Sequence, residues 1–347
     1  MALWTDVVTP AELTGYARAA LEDYERAKGT LARWLPNRFV PDIVARFVNG
    51  GAGMSNAAEY RSYDAESSIG SLPGGARTTI ELPPIGWKLR VSEYDQLRAR
   101  GLVDGEQVLS SIERATRRVT FDIVDRLEFE RGKAIENAAY AINENEFILS
   151  GSWSRAGGHT VTAGVLWSTP ATATPLSDLS TWRDVYVASN GAQPEAILTS
   201  TKVVAALSRT AEFRALAATV AGTPSIVTRE TVSQVLTAFG LPPIYVYDRQ
   251  IKKGGTTAKV LTDTKLFYLP APVDPNAGEA SELGATFWGQ TLESQEPEYG
   301  IAPADQPGLV VGALKTRDPI AVWVHGAAIG LPGLANPNLS LVATVSA

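Results

Sequence analysis

Two histidines are the side chains of this sequence best suited to proton transfer or metal binding. His159 follows a glycine pair in a predicted turn, and His325 follows a predicted strand. Neither histidine has a partner at the spacing of a metal site. The chain has no cysteine, so disulfides, thiolate nucleophiles and zinc–thiolate sites are excluded. We therefore expect both histidines to be structural, and the sequence predicts no catalytic residue, cofactor site or metal site.

Three glutamates of a predicted long helix, Glu128, Glu130 and Glu136, could serve as carboxylate ligands. They lack the Glu-x-x-His companion of di-iron helix bundles, so we predict that they belong to a solvated face. No Gly-x-Ser-x-Gly motif is present, and no serine pairs with a histidine in the manner of a catalytic triad. A hydrolase that uses Asp and Ser between residues 197 and 248 is kept as the alternative from another functional class.

A basic, glycine-rich stretch begins with Lys252 and Lys253 and ends at Lys259. It is not a phosphate-binding loop, because its lysine pair precedes the glycines. The pattern predicts the tip of a β-hairpin. A contact loop toward another subunit is the functional alternative for Lys252 and Lys253.

The composition of the 347 residues is that of a soluble globular protein, with 45% hydrophobic and 20% charged residues. The net charge of −6 argues against a protein that coats nucleic acid, although it leaves room for a container of nucleic acid. No apolar run approaches the length of about 20 residues that spans a bilayer. No signal peptide is visible, so we expect synthesis in the cytoplasm and no membrane partner.

The N-terminal region begins with helix signals and continues as an irregular segment. Thr9 is a predicted N-cap, and Gly29 is predicted to end the helix. The proline-broken segment that follows carries Trp34, Leu35 and Phe39 as large apolar anchors. These anchors fit two alternatives equally, a segment packed on the core of its own chain or an arm that docks on another subunit.

A two-armed ribbon is predicted next, with arms at residues 67–69 and 77–82 and a tip at residues 72–75. Its apolar residues include Ile69, Leu72, Ile80 and Leu82, which are too few for a core of their own. Because an isolated two-stranded ribbon is marginally stable in water, a neighbouring copy of the chain is its natural support.

The longest helical pattern covers about residues 105–144. Its apolar stripe includes Ile123 and Leu127, which we expect to face a β-layer of the same chain. The opposite face carries charges of both signs and is predicted to be solvated, and Gly132 is a candidate bend. From residue 147 onward, short strand and helix patterns alternate, which predicts a mixed α/β region that closes on strands.

The order of these elements and several short motifs resemble the major capsid protein of tailed double-stranded-DNA phages. The chain is similar to the phage lambda major head protein family, major capsid protein E, in the version met in phages of actinobacteria. The motifs that carry the resemblance are Leu31-Ala32-Arg33-Trp34-Leu35-Pro36-Asn37-Arg38, Tyr60-Arg61-Ser62-Tyr63-Asp64, Glu81-Leu82-Pro83-Pro84-Ile85, Ser92-Glu93-Tyr94-Asp95-Gln96-Leu97-Arg98 and Leu331-Pro332-Gly333-Leu334-Ala335-Asn336-Pro337-Asn338.

The resemblance implies an α+β fold, the tailed-phage major capsid protein fold. It implies an N-terminal arm at 1–54 and an extended E-loop hairpin at 55–94. A P-domain would cover 95–169 and 302–347 and hold the long spine helix at about 105–144. A mixed α/β A-domain would cover 170–301.

The resemblance also implies a structural function. The chain would assemble as hexamers and pentamers into an icosahedral head, with a scaffolding protein, a portal and in some relatives a decoration protein. The head would enclose double-stranded DNA without sequence specificity. An encapsulin-like nanocompartment or a gene-transfer particle is the nearest alternative. The candidate inter-subunit contacts are Trp34, Leu35, Phe39, Ile69, Leu72, Ile80, Leu82, Trp87, Lys252 and Lys253.

Overall fold

The computed structural model describes residues 2–49, 75–91, 106–218, 222–275, 281–318 and 320–347. The predicted ribbon arm at residues 67–69 and Leu72 of the ribbon tip lie outside these described residues.

Helices and strands are mixed along the described chain. The α-helices are α1 (Pro10–Lys28), α2 (Glu106–Asn137), α3 (Pro175–Asn190), α4 (Thr201–Leu207), α5 (Ala211–Leu216), α6 (Arg229–Ala238) and α7 (Leu292–Gln295). The strands are β1 (Ala2–Leu3), β2 (Asn37–Phe39), β3 (Val44–Asn49), β4 (Ala76–Glu81), β5 (Pro84–Val91), β6 (Ala139–Glu144), β7 (Phe147–Ser152), β8 (Thr160–Thr162), β9 (Ala196–Thr199), β10 (Ile244–Val246), β11 (Gln250–Lys253), β12 (Thr256–Lys259), β13 (Lys265–Leu269), β14 (Gly284–Trp288), β15 (Val310–Arg317), β16 (Ile320–Leu334) and β17 (Leu341–Thr344).

Helix α1 has the ends that the sequence predicts. The side chain of Thr9 accepts a hydrogen bond from the Glu12 backbone, and the Glu12 carboxylate accepts one from the Thr9 backbone. This capping box satisfies two amide groups that a helix start otherwise leaves free. At the other end, Gly29 adopts the left-handed conformation with φ of 58°.

The first sheet is organised by the 15-residue strand β16. Its first part pairs with β15 on one side and β5 on the other, and its last five residues pair with β14. The strand order is β1-β15-β16-β14-β2, with β5 also on β16. Strand β16 therefore holds β5, from the first third of the chain, in the same sheet as β14 and β15, from the last third.

Helix α2 packs directly on β16. A Cβ atom at Gly326 would overlap the Val119 side chain and would lie 3.0 Å from Ile123, so the glycine permits the close approach. Ile123 and Leu127 are both buried in the cluster formed by α1, α2 and this sheet. The prediction that these two residues face a β-layer of their own chain is confirmed.

The second sheet has the order β10-β9-β13-β17-β8 and contains both parallel and antiparallel pairs. Its core includes Phe267 and Tyr268 of β13 together with Trp182 of α3 and Phe213 of α5. Three two-stranded ribbons complete the described fold, namely β3–β4, β6–β7 and β11–β12. Strand β4, the predicted return arm, pairs with β3 of the N-terminal region.

The predicted helix at residues 105–144 ends earlier than expected, at Asn137. Ala138 takes a positive φ of 48°, and the guanidinium of Arg155 donates to the carbonyls of Ile135 and Glu136 at the helix end. The next residues form β6 and pair with β7 through a turn in which Asn145 and Glu146 both have positive φ. Such a two-residue turn suits the twist of a hairpin. The apolar residues after 138 therefore lie in a strand and do not continue the helix.

Three sequence patterns after residue 147 differ in extent from the structure. Ser177, which the sequence favours as the cap of a helix beginning near Leu176, lies inside α3, whose N-cap is Thr174 because Pro175 occupies the first helical turn. Residues 161–166 and 259–261 both have strand patterns, but β8 ends at Thr162 and β12 ends at Lys259. Strand β14 was missed, because it lies in a stretch rich in proline, glycine and glutamate.

We predict that Ile123→Asp and Leu127→Asp each lower the free energy of unfolding by several kcal/mol, because each buries an unpaired charge. Chemical denaturation followed by circular dichroism measures the effect. The control is Arg118→Asp on the same helix, where the side chain is 69% exposed, and it should cost less than about 1 kcal/mol. Wild-type unfolding of both apolar variants would contradict the assignment.

Candidate functional site: a buried arginine cluster and the exposed contact residues

Arg131 of α2 is fully buried, and it lies between two fully buried carboxylates. Its Nη1 atom is 2.7 Å from Glu25 Oε1 and 3.2 Å from Glu128 Oε2. Burial lowers the pKa of the Arg131 guanidinium, but the two carboxylates raise it more, so the pKa lies above its ordinary value. The prediction of a solvated face is wrong here, because α1 covers this part of α2.

The remaining donors of Arg131 reach two neutral side chains. Its Nε donates to Thr286 Oγ1 at 2.8 Å, and its Nη2 donates to Asn37 Oδ1 at 2.6 Å. Thr286 in turn donates to the backbone carbonyl of Leu35, and Trp288 donates to Asn37. One guanidinium therefore joins α1, β2, α2 and β14. We call Glu25, Asn37, Glu128, Arg131 and Thr286 the Arg131 cluster.

Glu128 extends the cluster toward the second sheet. Its Oε1 accepts hydrogen bonds from the Leu31 backbone at 2.8 Å and from the Tyr247 hydroxyl at 2.5 Å. Arg249 Nη1 lies 3.8 Å from the same oxygen, so two arginines balance Glu25 and Glu128. Burial, followed by the Glu128 charge, raises the pKa of Tyr247 well above its ordinary value. Each carboxylate oxygen has a protein partner, which makes this a structural cluster and not a reaction site.

Glu130 and Glu136 are also buried, so the predicted solvated face is wrong for them as well. Glu130 lies 2.8 Å from Arg126, and burial raises the pKa of its carboxyl despite that charge. Glu136 accepts hydrogen bonds from Thr262 and Lys265 after β12. Burial acts to raise the pKa of Glu136, yet its bonds to Lys265 and Thr262 lower it overall. Within the described residues, no group of three or more His, Cys, Asp or Glu side chains could hold a metal ion.

The two histidines occupy structural positions. His159 is buried, and its Nε2 atom lies 2.8 Å from Ser189 Oγ of α3. Burial lowers the pKa of His159; the Ser340 backbone opposes this shift and the Arg155 charge adds to it. Burial likewise lowers the pKa of His325 on β16.

The basic stretch forms the predicted hairpin, with β11 and β12 joined by Gly254 and Gly255 at positive φ. Lys253 Nζ lies 2.9 Å from Glu144 Oε1 and 4.7 Å from the centroid of the Phe129 ring. Lys253 therefore binds the hairpin to α2 and β6 of its own chain. Lys252 is exposed.

The described candidate contact residues differ in burial. Trp34, Leu35, Ile80 and Leu82 are buried in the core of their own chain, which favours core packing over docking at Trp34 and Leu35. The exposed group contains Phe39, Trp87 and Lys252, with 58% of Phe39 and 51% of Trp87 accessible. Ile69 and Leu72 lie outside the described residues.

In the region considered for a hydrolase, Ser200 and Asp248 both cap the start of α4. Ser200 Oγ accepts from the Val203 backbone, and it donates to the Asp263 carbonyl. The Asp248 carboxylate accepts from the Thr201 backbone at the same helix end. These contacts engage both side chains in satisfying backbone groups.

Comparison with solved structures shows what this architecture is. A phage-related protein from Bordetella bronchiseptica aligns over 99% of this chain and 98% of its own, with a TM-score of 0.62 and 15% identity. A protein named as a prophage capsid protein from E. coli CFT073 aligns over 96% and 99%, with a TM-score of 0.63 and 15% identity. The satellite phage P4 procapsid aligns over 95% and 99%, with a TM-score of 0.50 and 6% identity. The chain has the tailed-phage major capsid protein fold.

No family model and no curated protein matches the chain. The capsid fold is therefore shown by structure at low sequence identity. Among its described residues, no helix is long and apolar enough to cross a membrane. Sequence reasoning missed Glu25, Asn37 and Thr286 as partners of Arg131, since each of them lies far from Arg131 along the chain.

We predict that Arg131→Leu lowers the free energy of unfolding by about 3–5 kcal/mol, because it leaves buried carboxylates without their counter-charge. Urea denaturation of the free subunit measures the loss. The matched control is Arg118→Leu, whose surface pair with Asp122 is worth about 1 kcal/mol or less. Equal losses in the two variants would contradict the importance of the cluster.

We predict that His159 makes the subunit less stable as the pH falls. Its pKa is lower in the folded chain than the ordinary value of about 6.5, so the unfolded chain binds the proton first. The contribution is fully present above that value and is lost progressively as the pH falls below it. Unfolding free energies measured at several pH values should decline less steeply for His159→Gln than for the wild type, and parallel curves would contradict this.

Proposed function

We propose that the chain is a major capsid protein that assembles as hexamers and pentamers into an icosahedral phage head. The observation that carries the proposal is the capsid fold over nearly the whole of both aligned chains. The alignments include nearly all of this chain, so no large segment lies outside the capsid fold. The motif resemblance supports the finer assignment to the lambda head protein family of actinobacterial phages.

The proposed mechanism is the repetition of weak contacts over identical copies. In a closed symmetric shell each contact recurs many times, so a small free energy per contact adds up to a large total. Phe39, Trp87 and Lys252 are the candidate contacts that the free subunit exposes. Burying the exposed apolar surface of Phe39 and Trp87 against a neighbouring copy would stabilise the assembly.

The proposed domain organisation follows the resemblance, with an N-terminal arm, an E-loop, a P-domain and an A-domain at the boundaries given above. A scaffolding protein, a portal and a decoration protein are the proposed partners. The head would enclose double-stranded DNA, so the chain would be a virion component without enzymatic activity. Assembly would take place in the host cytoplasm.

An encapsulin-like compartment or a gene-transfer particle would use the same fold. A cargo enzyme encoded beside this chain would favour the encapsulin, whereas a portal and a terminase would favour the phage head. The hydrolase alternative is disfavoured by the capping roles of Ser200 and Asp248.

Electron microscopy and sedimentation of the purified protein test the proposal. We expect closed shells, alone or after coexpression with the scaffolding protein encoded nearby. Small monodisperse particles under both conditions would contradict a shell function.

We predict that Phe39→Ser and Trp87→Ser leave the subunit folded but shift it from shells to free subunits. Both side chains are about half exposed, so their loss removes contact area without opening a cavity. Sedimentation velocity measures the shell fraction, and thermal melting checks the fold. The contrast is Trp34→Ala, which should cost about 3–5 kcal/mol of unfolding free energy because Trp34 is buried. Normal shell yields from both serine variants would show that these residues face solvent in the shell.

A further inference from the structure

Three arginines and two aromatic rings form a line along the exposed side of α2. Arg114 and Arg117 are exposed on α2, and Phe121 follows one turn later. Tyr24 of α1 and Arg249 after β10 continue the line. With a rise of about 1.5 Å per residue, the part on α2 from residue 114 to the level of residue 125 is roughly 16 Å long. We call these five residues the arginine–aromatic stripe.

Four of the five members of the stripe contact one another through their rings and guanidinium groups. The guanidinium carbon of Arg117 lies 5.8 Å from the Phe121 ring centroid. The Phe121 and Tyr24 rings stack with centroids 4.2 Å apart, and the Arg249 guanidinium lies 4.9 Å from the Tyr24 centroid. A stacked guanidinium keeps the N–H groups in its plane available and is partly immobilised before a ligand arrives. Arg117 is therefore prepared to donate to an anion.

Only part of the positive charge on this surface is paired with carboxylates. Arg249 pairs with Asp125, and Arg118 beside the stripe pairs with Asp122. Neither Arg114 nor Arg117 has a carboxylate within ion-pair distance among the described residues. Arg114 donates to the Ser110 carbonyl and the Ser111 hydroxyl of its own helix.

A polar cleft lies at the Arg249 end of the stripe. Its volume is about 340 Å³, and it is lined by Tyr24, Lys28, Asp125, Asp248 and Arg249, among others. Lys28 is exposed and adds a third cation without a carboxylate partner among the described residues. Arg114, Arg117 and Lys28, which have no ion-pair partner among the described residues, therefore extend from α2 to the C-terminal end of α1.

We propose that the arginine–aromatic stripe binds the phosphodiester backbone of double-stranded DNA. This proposal rests on the proposed function, since it assigns a wall contact for the enclosed genome. Guanidinium groups match phosphate oxygens in geometry and charge. Phe121 is stacked between Arg117 and Tyr24, and the Tyr24 ring contacts both Phe121 and Arg249, so the stripe offers little ring surface for a base. The contact is therefore to phosphate and independent of sequence.

The expected binding is weak for each subunit. Each neutralised phosphate contributes about 0.9 to the slope of log affinity against log salt concentration, and Arg114, Arg117 and Lys28 give roughly three such contacts. Each copy of the subunit makes few contacts with the DNA, and each contact breaks and re-forms readily. The DNA is held because many copies line the shell. This agrees with the acidic net charge of the chain, because weak binding needs only a few cations per copy.

The test is fluorescence anisotropy of a labelled DNA duplex with full-length unassembled subunits, over a salt series from about 50 to 200 mM. The key variant is Arg114→Gln/Arg117→Gln. The matched control is Arg209→Gln/Arg229→Gln, which removes two exposed arginines elsewhere and changes the net charge equally. We expect the key variant to bind more weakly with a salt slope shallower by about two, and the control to behave as the wild type.

Equal slopes in wild type and key variant would overturn the proposal, and so would an equal loss in the control, which would indicate a net-charge effect. Labelled poly-L-glutamate is a second probe. Loss of its binding in the key variant, with DNA binding unchanged, would mean that the stripe takes an acidic protein instead. Arg114→Lys/Arg117→Lys keeps the charges and should keep most of the slope. If the double glutamine variant does not fold, Arg114→Gln and Arg117→Gln are measured singly, each with an expected change of about one.

Electron microscopy of the same proteins separates this proposal from the proposed function. Normal shells with an unchanged DNA salt slope would overturn the stripe alone. Failure of the wild type to form any shell would overturn the capsid assignment, whatever its affinity for DNA.

Discussion

The buried Arg131 guanidinium is the interaction on which the arrangement of the chain depends. A charged group without water must be surrounded by acceptors, and each acceptor of Arg131 comes from a different part of the sequence. Helix α1, strand β2 and strand β14 can satisfy it only when they occupy their final positions together. A buried charge pair is weak evidence for stability, but it discriminates strongly against arrangements in which one partner is missing. The cluster therefore specifies how the N-terminal segment sits on α2.

Two other constraints act on α2, one steric and one from hydrogen bonds at its C-terminal end. Gly326 and Gly330 of β16 lack side chains where Val119, Ile123 and Leu127 of α2 approach the sheet. Arg155 and Ala138 then end the helix and turn the chain into the β6–β7 hairpin. Three features therefore position α2. The glycines of β16 determine how closely the helix approaches the sheet, the Arg131 cluster determines which segments pack on it, and the capped end determines its length.

Local signals in the sequence predicted the local features well. Thr9, Pro10, Glu12 and Gly29 predicted the ends of α1, and the period of Ile123 and Leu127 predicted the face of α2 that meets the sheet. Order and motifs together predicted the capsid fold, which the solved structures support.

The errors came from contacts between distant residues. Glu128 and Arg131 have the spacing of a solvated charged face, and nothing nearby in the sequence shows that α1 covers them. Strand β14 lies in a stretch with loop-like composition and exists because β16 and β2 pair with it. The arginine–aromatic stripe was also missed, since Tyr24, Phe121 and Arg249 meet only in the folded chain.

Gly132 of α2 determines how closely a distant part of the chain can approach that helix. Glycine weakens a helix by about 1 kcal/mol relative to alanine, yet a Cβ atom here would overlap the backbone carbonyl of Val260. The segment between β12 and β13 therefore rests directly on the helix backbone. Any side chain at position 132 would push the two apart, so this position gives up helix propensity in exchange for close packing between two parts of the chain that are far apart in sequence.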